Sequence, residues 1–238
     1  MSRGGAAASG GSPEPWRIIE RSGSVRSLHG TQAGSVRCRE IWVMRPAGGA
    51  VVLGSGQRPG AVDATEARRR GLTVLRRRSG GGVVLVSPAD LLWVDMVVPR
   101  SDPLWHPDTG CSFGWLGELW RRALRRSGIA AEVHEGRYEP GTWGSLVCFA
   151  GRGPGEVFVA GRKVIGLSQR RTGAGARFQC GVLLRWDPAA LADLLVLSAA
   201  RRGALERDLA GCAAGLDLPE HRILEALLGV LQAGGNEH

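Results

Sequence analysis

Three groups of residues in this 238-residue chain could do chemistry. The first is "RRRSGGG", residues 76–82, in which three guanidiniums and a hydroxyl precede three glycines. Without side chains, the glycines let backbone N–H groups close on an anion or a flat ligand. In an extended chain Arg77 and Ser79 point one way, Arg76 and Arg78 the other. GxxxxGK[ST] and GxGxxG are both absent, so this is neither a Walker loop nor a dinucleotide fingerprint. A glycine-rich surface turn beside a basic strand would read the same. The second group is "VFVAGRKVIGLSQRR", residues 157–171, which contains Lys163, the one lysine among 31 Lys and Arg residues. An ammonium is a compact point charge with three rotatable donors, which a guanidinium cannot imitate. Codon history could also leave one lysine by chance. Strand alternation places Lys163 on the face of Ile165 and Leu167, and Gly161 and Gly166 on either side leave room for a ligand. The third is Cys148 in "LVCFAG". A thiol beside an ammonium becomes a nucleophile, whereas a cysteine buried among Leu, Val and Phe is a small inert hydrophobe.

Composition narrows the classes. Apolar content of 43% and charge of 22% suit a globular domain, and no uninterrupted apolar run reaches the roughly 18 residues of a membrane span. The first residues, "MSRGGAAASGGSPEP", lack an apolar signal core and read as a disordered tail over 1–15, so a cytoplasmic location is expected. Residues 16–238 are expected to form one domain. Five cysteines without a CxxC argue against a disulfide framework or a zinc site, and no metal ligands are assigned. A net charge of +9 invites nucleic acid, but Arg in place of Lys alongside abundant Ala and Gly points to GC-rich codons, and nucleic-acid binding is disfavoured.

The elements that must position these groups follow from pattern. "EIWVMRP", "AVVLGSG", "LTVLRRR", "VVLV" and "LLWVDMVVP" read as strands, the last apolar throughout and therefore central and covered on both faces. "AVDATEARRRG" is a short helix capped by Asp63 and closed by Gly71. "SFGWLGELWRRALRRSG" places Leu116, Leu119, Trp120, Ala123 and Leu124 on one helical face. "EVFVAGRKVIGLSQRR" is a hairpin turning at Ala160-Gly161, "ARFQCGVLLRW" a further strand, and "DPAALADLLVL" and "LPEHRILEALLGVLQAG" two helices. Residues 16–39 carry no assignable pattern. Strands and helices mix without βαβ alternation, which implies an α+β fold with a mixed, largely antiparallel sheet flanked by helices.

"VLRRRSGGGVV", followed about eighty residues later by "VFVAGRKVIGLSQRR" and then by "ARFQCGVLL", resembles the lipoate–protein ligase A family of the biotin/lipoate ligase and octanoyltransferase superfamily. The resemblance runs from Glu40 to about Leu195 and implies that family's catalytic-domain fold. It implies Arg77, Ser79, Gly80, Gly81 and Gly82 as the binding loop for lipoate and adenylate, with Gly161, Gly166 and Ser168 as further substrate-binding positions. Lys163 is implied as the catalytic residue at the acyl carbonyl and phosphate. The implied activity is ligation of lipoate or octanoate, through an acyl-adenylate made with ATP and Mg2+, to a lysine of an acceptor lipoyl domain. Cys148-Phe149 resembles the nucleophile position of the cysteine-dependent octanoyltransferase branch, which would acylate Cys148 from an acyl carrier protein and need no ATP or other cofactor. A non-catalytic acyl- or nucleic-acid-binding module is the remaining alternative. The chain departs from the family where a His-Asp pair is replaced by Val86-Ser87 and a later His by Gln179-Cys180, so ATP and magnesium handling is expected to differ. A C-terminal accessory domain is not expected.

Overall fold

The computed structural model describes residues 16–32, 34 and 36–233. The tail expected over residues 1–15 lies outside the described residues. The fold is built around β6 (Leu91–Pro99), in which every residue is buried. A strand apolar on both sides needs cover on both faces and a partner at each edge. It pairs antiparallel with β2 (Glu40–Pro46) on one side and β10 (Gly175–Leu183) on the other. From β10 the sheet continues antiparallel through β9 (Arg162–Thr172), β8 (Val157–Val159) and β7 (Glu132–Val133). At the other edge β1 (Arg17–Gly23) adds parallel to β2. A smaller sheet sets β3 (Ala50–Leu53) between parallel β4 (Thr73–Arg76) and antiparallel β5 (Val84–Val86). The fold is therefore α+β with a mixed, largely antiparallel sheet.

Three apolar layers hold it together. Outside the large sheet, α3 (Gly114–Arg126) buries the expected stripe of Leu116, Leu119, Trp120, Ala123 and Leu124 with Ile223, Leu227 and Val230 of α6 (Glu220–Ala233). Between the sheets lie Trp42, Val52, Val86, Leu91, Trp93 and Phe149. Beyond the small sheet, Val51 and Leu53 meet Leu191 of α4 (Pro188–Ala192) and Leu205 and Leu209 of α5 (Ala199–Cys212). The helix α2 (Ala64–Arg69) starts as expected, with the Asp63 carboxylate accepting from the Thr65 and Glu66 amides, and Gly71 leaves it at φ +68°.

Three stretches depart from the sequence pattern. α4 stops at Ala192, because Leu194 and Leu195 leave the helix to pair with the Ala61–Asp63 segment. α5 was not expected, since "AARRGALERDLAGC" buries only Leu205 and Leu209 fully and shows no clear apolar stripe. Residues without an assignable pattern supply β1 and the short helix α1 (Val25–Gly30), and tertiary contacts hold them. The buried Arg177 guanidinium is paired with Asp95 and donates to the carbonyls of Leu28 (2.9 Å) and Thr31 (2.5 Å), which fixes the end of α1 against the sheet. No helix among the described residues is long and apolar enough to cross a membrane.

Candidate active site

A cavity of about 640 Å³ opens between the two sheets, lined by apolar groups including Val52, Val84, Val86, Leu91, Trp93 and Phe149. The glycine loop forms part of its wall. β4 ends at Arg76, and the alternation continues as Arg77 turns in while Arg76 and Arg78 stay exposed. The Arg77 guanidinium folds back on its own loop, donating to Gly80 O (2.7 Å) and Gly82 O (2.9 Å), so it braces the loop. Gly81 sits at φ +91°, where a Cβ would stand 2.9 Å from Arg77 Nη2 and 3.8 Å from Cys148 Sγ. A Cβ at Gly82 would strike the Val147 backbone at 2.4 Å. Glycine is required at both positions, once by backbone conformation and once by close approach. Gly54, not singled out from sequence, is needed equally: its Cβ would stand 1.9 Å from Gly81 O. Among the described residues the buried Ser79 hydroxyl has no hydrogen-bond partner, and it does not line the cavity.

Cys148 opens a short 3-10 turn, Cys148–Ala150, whose start is tied to the end of the glycine loop by Cys148 N to Val83 O at 3.0 Å. Its half-buried thiol lines the cavity beside Gly81. Cys180 differs in kind. It is fully buried, and burial pushes its thiol far above the ordinary cysteine range, so it stays protonated.

Lys163 is 1% exposed. The pairing of β8 with β9 steps from Val157↔Ile165 to Phe158↔Lys163, so β9 carries one extra residue, a β-bulge. Val164 and Ile165 both enter the layer under α3, while Lys163 faces Phe149 and Glu156 together with Gly166. The expected sharing of a face with Ile165 is therefore corrected: strict alternation fails at the bulge. The ammonium lies 2.5 Å from a Glu156 carboxylate oxygen and donates to Cys148 O at 3.1 Å. Glu156, 5% exposed, also accepts from the Gly153 and Leu167 amides, at 2.6 and 3.3 Å, and lines the cavity. Pairing and these further bonds offset the cost of burying the two groups away from water. Sequence reading missed Glu156, because an acidic residue immediately before an apolar strand carries no pattern of its own.

The remaining positions divide. Gly166 and Ser168 line the cavity, and a Cβ at Gly166 would meet the Phe149 ring at 3.2 Å. Gly161 does not line it: with Ala160 it makes the two-residue hairpin turn, both at positive φ. Two lining residues come from stretches with no sequence signal. His29 of α1 packs on Trp93 with ring centroids 4.5 Å apart, and burial together with Arg177 and Arg77 lowers its pKa to about 4, which keeps the imidazole neutral. Tyr138, from the loop before Cys148, has its pKa raised chiefly by burial. The site thus offers a thiol and glycine backbone at one apolar cavity, with the Lys163 ammonium fixed behind its wall on Cys148 O and Glu156.

Among curated proteins, none matches this chain in sequence. The model of the "Lipoyl protein ligase A/B catalytic domain" family matches residues 39–206, more than two thirds of the chain. Solved structures with the same fold include an archaeal bi-partite lipoate protein ligase, described with its E2 lipoyl domain, from Thermoplasma acidophilum. It has TM-score 0.72 and 17% identity, over 92% of this chain and 83% of that one. A second structure from that organism, with bound lipoic acid, has TM-score 0.67 and 18% identity, over 93% and 85%. A lipoate-protein ligase A bound with ATP has TM-score 0.66 and 18% identity, over the same shares. The chain belongs to the lipoyl protein ligase A/B catalytic domain family and is an enzyme of the lipoate ligase or transferase type.

Proposed function

We propose that this enzyme transfers an octanoyl or lipoyl group to a lysine amine of a lipoyl domain through a thioester on Cys148. The observation that carries this reading is the placement of the Cys148 thiol on the cavity wall beside Gly81, with the Lys163 ammonium held on the same residue's carbonyl. In the first step the Cys148 sulfur attacks the thioester carbonyl of a carrier protein. The carrier thiol leaves with the proton that Cys148 gives up. In the second step the acceptor amine attacks the Cys148 thioester, an amide forms, and the Cys148 thiol returns. The Lys163 ammonium, held on Cys148 O, is the donor assigned to the oxyanion of each tetrahedral intermediate.

The donor set at this end fits ATP with Mg2+ poorly. Arg77 is engaged by the loop carbonyls and His29 is neutral, so neither offers a free cation to a triphosphate. A ligase forming an acyl-adenylate is the second reading, favoured by the shared fold of the ATP-bound lipoate-protein ligase A. One experiment separates them. The purified chain is mixed with an apo lipoyl domain and either octanoyl carrier protein without ATP or octanoate with ATP and Mg2+, and the acceptor is weighed by mass spectrometry. An octanoyl mass gain from the carrier thioester alone is expected; a gain that requires ATP overturns the thioester reading.

A further inference from the structure

One wall of the acyl cavity is thin. Behind it lies a second cavity of about 490 Å³, whose lining includes Leu85, Leu183, Trp186 and Leu191 and the Asp90–Arg185 ion pair. Among the described residues, Leu91 is the one common to the linings of both cavities. Beside it, Phe149 lines the first cavity and Trp186 the second, with ring centroids 5.9 Å apart. The partition is therefore one side chain thick at Leu91 and two rings thick beside it. Gly181 on β10 seats it: a Cβ there would stand 3.4 Å from Leu91 Cδ1 and 3.7 Å from Phe149 Cζ, at van der Waals contact with both.

An acyl chain in an apolar cavity gains affinity with each methylene it buries and loses it abruptly at a packed wall. We infer that Leu91 sets the longest acyl chain this site accepts, and that the second cavity is the space a longer chain enters when Leu91 is shortened. The inference rests on the acyl reading of the site. It concerns only which chain fits, whichever chemistry activates it.

The test measures binding of hexanoate, octanoate and dodecanoate to the full chain by calorimetry, beside transfer of the matching acyl groups from carrier thioesters. Wild type should prefer octanoate to dodecanoate. Leu91→Ala should raise the dodecanoate-to-octanoate affinity ratio at least about tenfold, since each added buried methylene is a factor of about four. Leu91→Val, gentler on the core, should move the ratio part of the way. Gly181→Ala should shift preference toward hexanoate by adding a methyl at the seat of the partition. A ratio unchanged in folded Leu91→Val and Gly181→Ala proteins overturns the inference, and these two decide if Leu91→Ala does not fold. Binding with the expected shifts but no transfer means the transferase reading fails while Leu91 keeps its role. Wild type that neither binds any of the three carboxylates nor transfers any of the three acyl groups overturns both.

Discussion

The Lys163 ammonium donates to the Cys148 carbonyl and faces the Glu156 carboxylate at once, so its charge is fixed beside the residue whose thiol reaches the cavity. Replacing Cys148 by Ser substitutes a hydroxyl far less acidic than the thiol, and acyl transfer from a thioester should fall at least about a hundredfold. The melting temperature should hardly move, because the site is half-buried and the volume change small. Unchanged turnover in Cys148→Ser would end the thioester reading. Lys163→Arg keeps the charge but forces a longer planar fork into a site that is 1% exposed. Transfer should drop by on the order of a hundredfold, comparable to loss of one oxyanion donor. Overpacking should also cost about 1–3 kcal/mol of stability, read by denaturant unfolding. Near-normal kcat/KM would make the lone lysine an accident of codon usage.

At the scale of elements, the glycine loop works because neighbouring backbones close on it. Gly54 of the β3 exit packs on Gly81 O, and Gly82 packs on the Val147 backbone. Gly54→Ala must push the loop away, since a Cβ 1.9 Å from a carbonyl oxygen has no flexible neighbour to displace. Acyl binding by calorimetry should weaken by more than tenfold, by analogy with a misplaced first wall of a binding site. Binding equal to wild type would show that the loop shape does not matter to the ligand. The anchoring of α1 is a second case. Arg177→Met leaves Asp95 buried without its partner, and breaking such a pair costs about 3–5 kcal/mol in denaturant unfolding. A loss below about 1 kcal/mol would mean Asp95 is served by other donors.

For the molecule as a whole, His29 links pH to stability. Its folded pKa, lowered to about 4 from 6.5, means the unfolded chain binds more protons between those values. Stability is therefore fully present above pH 6.5 and is lost as the pH falls toward 4, by on the order of 3 kcal/mol. Chemical unfolding of wild type and His29→Gln across pH 4–7 checks this. The difference between the two curves should grow as pH falls, and parallel curves would remove His29 from the account.

The sequence by itself determined the strands around the site, because a run such as "LLWVDMVVP" can satisfy its apolar side chains only in the middle of a sheet. It also determined the stripe of α3, the Asp63 cap, the Ala160-Gly161 turn and the family, since these depend on neighbours within a few residues or on motif order. Tertiary structure alone decided the rest. α1 and β1 have weak local signals and are held by Arg177 and by pairing with β2, contacts distant in sequence. The face of Lys163 turns on a one-residue bulge opposite β8, which no period-2 reading contains. Glu156 became a partner of Lys163 only when the hairpin brought the two buried charges within 2.5 Å, since the cost of burying either alone is what selects the pair.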